Sequence, residues 1–177
     1  RRIQQPLIAA INGAAYGGGL ALALGCDIRI AAHSARLCVQ FIRLGVSGCD
    51  IGVSYMLPRL IGASRAHDLM LSARVVDADE AERYGLVTRV VADEHLHAAA
   101  LALAGELCDF SPFGVLATKQ VMWANLDTSN LEAAIQLENR NQIMAGLSGD
   151  AEEAGRAFFE KRKPRWSHER GRESHTE

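Results

Sequence analysis

The sequence predicts an α/β fold that passes into an all-helical C-terminal region. Three observations carry that reading. Short apolar runs alternate with small-residue turns and helix-like stretches up to about residue 92. Composition then shifts, and residues 93–160 hold no convincing strand. Strand, turn and helix in repeated succession build a layered core, because each element buries one apolar face against the next. The expected division is an α/β core over 1–92, a helical region over 93–163 and a polar tail over 164–177.

Taken in order, "RRIQQP" reads as the tail of a helix stopped by Pro6, since proline disfavours helix in the residue before it. Leu7–Ile11, "LIAAI", is a buried strand ending in an Asn12-Gly13 turn. Residues 17–24 are small and apolar, and "GCDIRIAA" (25–32) alternates as a strand does. Leu37–Phe41 is a further short strand, and the glycines of "GVSGCDIG" (45–52) mark a loop. Asp50 is placed to cap a helix from Ile51 to Leu60, and Ser64 to cap a second through Leu71. Asp77 starts a third helix, with acids in its first turn and Gly85 at its end. "LVTRVV" (86–91) is a strand. Beyond it, "DEHLHAAALALAGELCDF" is amphipathic, and Ser111-Pro112 opens a helix with proline at its first position. Residues 128–147 and 150–163 read as two more helices, and "HERGRESHTE" (168–177) as a loosely held polar end.

Composition narrows the function classes. The chain has 177 residues, is 49% hydrophobic and carries a formal charge of −2. Such a length supports a globular core, and so balanced a charge argues against nucleic acid, whose phosphates need a basic surface. Apolar runs are interrupted by Gly, Asp or Arg well short of a bilayer span, so no membrane partner is expected. The opening residues lack the apolar segment of a signal peptide. With four scattered cysteines, this points to a cytoplasmic protein with reduced, mostly buried thiols. The histidines show no metal-ligand spacing.

"NGAAYGGGL" (12–20) is the most informative stretch. No Gly-Lys-Ser/Thr follows to make a P-loop, and the spacing is not GxGxxG or GxSxG. A strand, a turn and a helix N-terminus remain. The glycines either let helix and strand pack closely or leave amides open to a ligand carbonyl that gains negative charge.

"QPLIAAINGAAYGGGLALALGCDIRIA", "LPRLIGASRAHDLMLSARVVDADEAERYGLVTRVV" and "AFFEKRK" resemble the crotonase (enoyl-CoA hydratase/isomerase) superfamily over roughly residues 3–166. The resemblance implies a spiral of ββα units followed by an all-helical oligomerisation region. It also implies acyl-CoA substrates and trimers or dimers of trimers, with no cofactor beyond the coenzyme A of the substrate. Gly18 takes the place of the backbone donor to the thioester oxygen. Ala14, Gly17, Ala21 and Phe41 fall at substrate-binding positions. Family members extend further at the N-terminus, where a second donor lies, so the chain resembles the C-terminal two-thirds of such a protein.

The resemblance also shows a departure. Typical hydratases carry glutamates at the places of Ala21 and Phe41, and neither residue here can move a proton. Asp50 lies in a loop where other branches of the superfamily place an aspartate, so it is a candidate acid/base or nucleophile as well as a helix cap. Double-bond isomerisation, thioester hydrolysis and a non-catalytic acyl-CoA-binding role therefore stand beside hydration. Asp27 reads as structural. In "EKRKPRW" (160–166) the cations are either a solvated basic helix end or, by resemblance, a coenzyme A contact through Lys161, with Phe158 bordering the adenine or acyl pocket.

Overall fold

In the computed structural model, which describes residues 2–167, the chain twice runs strand, strand, helix before Ile61. The first pass is β1 (Ile8–Ile11), β2 (Ala14–Tyr16) and α1 (Gly18–Gly25). The second is β3 (Ile28–Ala32), β4 (Arg36–Cys38) and α2 (Val53–Ile61), with a 3-10 turn at Phe41–Leu44 between the last two. Then come α3 (Ala63–Ser72), β5 (Val76–Asp77), α4 (Ala78–Tyr84) and β6 (Arg89–Val91). The helices α5 (Leu96–Cys108), α6 (Pro112–Asn125), α7 (Leu131–Leu147) and α8 (Asp150–Phe159) follow. The chain forms two compact units, one built mainly from Pro6–Ala104, the other from Gly105 onward together with Ile3–Gln5.

The first four strands of the first unit alternate between two three-stranded sheets, β5 then joins the sheet of β4, and β6 returns to the other. One is wholly parallel in the order β1-β3-β6, with Ile8 opposite Ile28 and Ile30 opposite Arg89. The other pairs β2 with β4 in parallel and β4 with β5 antiparallel. Ile30, Ala31 and Ala32 of the central β3 are fully buried, as expected of a parallel strand covered on both faces. Leu96, Ala100 and Leu103 of α5 close over Ile30 and Ala32, so the first helix of the helical region helps to build this core.

Arg29 is buried within β3. Its Nε donates to the Leu86 carbonyl at 2.9 Å and its Nη1 to the Cys26 carbonyl at 2.6 Å, tying the end of α1 to the approach to β6. Burial pulls its pKa down, opposed by nearby Cys26 and Asp27. The Asp27 carboxylate accepts the Leu7 amide at 2.8 Å and thereby fixes the entry to β1, the structural role read for it.

In the second unit Ser111 caps α6, its Oγ accepting from Gly114 N at 3.2 Å and donating to Asp150 Oδ2 at 2.7 Å. Asp150 and Glu153 are buried acids of α8 that hold the segment after it. Asp150 accepts the Ser167 amide at 2.9 Å, and Glu153 accepts Arg162 Nη1 at 2.6 Å and the Arg165 amide at 2.7 Å. Trp166 is buried and donates to the Asp109 carbonyl at 3.1 Å.

Several sequence expectations are corrected. Residues 2–7 hold no helix; the Gln5 carbonyl accepts instead from Nζ of the buried Lys119 at 2.8 Å. The strand expected over Leu37–Phe41 stops at Cys38, since Gln40 takes φ +55° and turns the chain. The strand expected over 86–91 is confined to Arg89–Val91, because the Leu86 and Val87 amides still bond back to Ala81 of α4. The helix expected over 150–163 ends at Phe159, because Arg162 turns back to Glu153 rather than continuing outward. Cys49 and Cys108 are exposed, so the thiols are not mostly buried. The polar end "HERGRESHTE" lies outside the described residues.

Candidate functional site

The glycine turn joins β2 to α1 and is tied to the end of β4, the neighbouring strand of the same sheet. Gly17 follows β2, and its amide donates to the Cys38 carbonyl at the end of β4, at 3.0 Å. With φ +51° and ψ −114° it takes a backbone shape that a residue with a Cβ rarely adopts. Its carbonyl accepts from Ala21 N at 3.0 Å, which opens α1. The amides of Gly18, Gly19 and Leu20 therefore belong to the first turn, where a helix offers no internal acceptor. Leu20 is buried, Gly18 half-buried and Gly19 exposed, so Gly18 presents a backbone donor at the edge of the core.

Two other loops meet this turn. A Cβ at Gly17 would lie 3.6 Å from Cε1 of Phe41 and 3.8 Å from Cβ of Gln40. A Cβ at Gly18 would lie 3.8 Å from Cδ1 of Ile51. Gln40 and Ile51 both have left-handed backbones, at φ +55° and +47°. Each such residue costs of order 1–3 kcal/mol and persists only where its surroundings hold it; strain of this kind clusters at functional sites. Three left-handed residues, Gly17, Gln40 and Ile51, thus converge on one spot.

Asp50 enters through Ile51. Its carboxylate is exposed, and Oδ1 accepts the Ile51 amide at 2.9 Å. Asp50 does not cap α2 as its side chain was expected to. That helix starts at Val53 and its N-cap is Gly52 in the left-handed conformation, with no side-chain bond. Ser64 likewise gives way to Gly62 as the cap of α3. Asp77 is the aspartate that does cap, accepting Glu80 N at 2.8 Å. The Asp50 loop is braced where buried Gly48 meets α3; a Cβ there would stand 3.1 Å from the Met70 carbonyl oxygen. A cavity of about 290 Å³ lined by Ser47, Cys49, His67 and Met70 lies behind the loop.

Of the residues singled out from sequence, Gly17 lies against Phe41, its neighbour Gly18 lies against Ile51, and Asp50 joins them by its bond to the Ile51 amide. Ala21 is buried on the inner face of α1. Ala14 is exposed at the start of β2, opposite Arg36. Phe158 and Lys161 belong to the second unit, where Phe158 is exposed and stacks edge-on with Phe159. Lys161 is exposed just past α8 at φ +52°. The cations expected to form a solvated helix end are partly committed instead, Arg162 to Glu153 and Glu160. Gln40, Gly48 and Ile51 escaped the sequence reading; only the Gly52 beside Ile51 hinted at a left-handed turn.

Against known proteins, the model of the family described as enoyl-CoA hydratase/isomerase matches residues 1–169. The chain belongs to that family. The probable enoyl-CoA hydratase EchA12 of Mycobacterium tuberculosis (strain ATCC 25618 / H37Rv) is 47% identical over 93% of this chain and 58% of its own length. The 1,2-epoxyphenylacetyl-CoA isomerase of Escherichia coli (strain K12) is 38% identical over 94% of this chain and 63% of its own. A crystal structure of a probable enoyl-CoA hydratase/isomerase from Mycobacterium abscessus is 46% identical over 94% of this chain and 64% of that one, with a TM-score of 0.89. The α/β fold is therefore that of the crotonase-type enzymes. In this chain Ala21 and Phe41 are buried and Asp50 is exposed.

Proposed function

We propose that the chain acts on acyl-CoA thioesters by stabilising an enolate. The Gly18 N–H donates to the thioester oxygen as negative charge develops there, a contribution commonly worth about 3–4 kcal/mol per donor. The Asp50 carboxylate removes a proton from the acyl chain and returns it to another carbon. One C–H bond breaks, another forms and the double bond shifts, so no further reactant is needed. The observation that carries this reading is the meeting of the Gly18 turn with Ile51, the residue bonded to Asp50. Hydration is disfavoured because it needs a group to activate water, and Ala21 and Phe41 supply none.

A homotrimer or dimer of trimers belongs to this proposal. Phe110, Leu131, Leu147 and Phe159 of the second unit expose apolar surface in the single chain. Lys161 and Phe158 are assigned to the coenzyme A part of the substrate. Exposed thiols at Cys49 and Cys108 suit a reducing, cytoplasmic setting. Among the described residues no single helix is long and apolar enough to cross a membrane.

The test is exchange of acyl α-protons for deuterium in D2O, followed by NMR, beside calorimetric binding of the same acyl-CoA. The chain should bind and exchange, and Asp50→Asn should bind while exchange falls about 10²-fold or more. Undiminished exchange would remove Asp50 from the mechanism. Binding with no exchange in the unaltered chain would establish instead a non-catalytic acyl-CoA-binding role, a reading favoured by the apolar Ala21 and Phe41. Absence of binding would overturn the proposal.

A further inference from the structure

Ile51 occupies a position that its own chemistry does not favour. A β-branched side chain at φ > 0 is a true outlier, because its branches crowd the backbone. The first unit uses glycine at most of its other left-handed positions: Gly17, Gly45, Gly52, Gly62 and Gly85. Its remaining exceptions pack closely. Ala73 is fully buried and takes the Cys38 thiol on its carbonyl at 3.0 Å, and Gln40 lies against Gly17. Ile51 gains no comparable burial, being 61% exposed. Its neighbour Gly52 has open space around it, so the loop is not crowded into this shape. What the side chain does is set Cδ1 beside Gly18, where nothing else comes within 4 Å of a Cβ position. Its backbone amide meanwhile holds Asp50 Oδ1 at 2.9 Å.

We propose that Ile51 determines acyl-group specificity: its δ-methyl limits the bulk that can reach the Gly18 amide, while its left-handed backbone positions the Asp50 carboxylate. This rests on the acyl-CoA reading above. The space beside Gly18 is where the carbon next to a bound thioester carbonyl would lie, so the ligand feature under selection is branching at that carbon. The unaltered chain therefore prefers a straight acyl group to an α-branched one.

The experiment pairs two saturated probes, acetyl-CoA and isobutyryl-CoA, with thermal unfolding of the full chain. The ratio of their affinities cancels the coenzyme A part common to both. Ile51→Ala and Ile51→Gly should each raise the isobutyryl-to-acetyl ratio about tenfold or more. Only Ile51→Gly should raise Tm, by about 2–4 °C, since glycine relieves the backbone and alanine does not. An unchanged ratio in variants that still bind acetyl-CoA would overturn the role of Ile51 and leave the acyl-CoA reading standing. A lower Tm for Ile51→Gly would overturn the strain on which the inference depends. An unaltered chain that binds neither probe would overturn both readings.

Discussion

Gly17 and Gly18 are neighbours in sequence, yet their substitution by alanine should have opposite consequences. At Gly17 space is not the obstacle: an added Cβ meets Phe41 at 3.6 Å and Gln40 at 3.8 Å, ordinary contact distances. The obstacle is the backbone, at φ +51° and ψ −114°. That ψ lies outside even the left-handed helical well open to L-residues, so the cost falls toward the upper part of the usual 1–3 kcal/mol, about 2–3 kcal/mol. With a urea dependence of about 2 kcal/mol per molar, the unfolding midpoint of Gly17→Ala should fall by about 1–1.5 M. At Gly18 the backbone is not left-handed and the added Cβ stands 3.8 Å from Ile51 Cδ1. Alanine also outranks glycine in a helix by about 0.5–1 kcal/mol, so Gly18→Ala should leave the midpoint unchanged or slightly raised. Urea titration followed by far-UV circular dichroism checks both variants. An unchanged midpoint for Gly17→Ala, or a fall near 1 M for Gly18→Ala, would refute the assignment of the strained turn to residue 17.

Two further outcomes follow from the same geometry. Gly48→Val would press a branched side chain toward the Met70 carbonyl, 3.1 Å from the first added carbon; it should cost about 1–3 kcal/mol in urea unfolding, and full retention of stability would show that the Asp50 loop is not braced there. Glu153 is held down to a pKa of about 2, chiefly by its hydrogen bonds from Arg162 and then by the Arg165 amide. A carboxylate with a depressed folded pKa contributes stability above its unfolded pKa of 4.5 that is lost as pH falls toward 2. Stability should therefore decline across that window in the unaltered chain and less steeply in Glu153→Gln; equal slopes would exclude Glu153 as the group responsible.

Sequence by itself determined the features that act over a few residues. The apolar runs of β1 and β3 were legible, as were the Asp77 and Gly85 ends of α4 and the Ser111-Pro112 start of α6, because periodicity and caps are local signals. The glycine triplet and its flanks were enough to point to the family. Tertiary structure decided what stands beside that triplet. Asp50 read as the cap of α2, yet the cap is Gly52, next to Ile51, which turns left-handed beside Gly18. The basic stretch after α8 left open a solvated helix end or a coenzyme A contact through Lys161, and the fold commits its Arg162 to a buried Glu153. Leu96 lies in the helical region by composition, yet its side chain closes the core of the α/β unit. In each case the deciding partner lies beyond the few residues over which local signals act. Residue type and spacing encode a side chain's preferences, whereas only the packed fold can hold it against them.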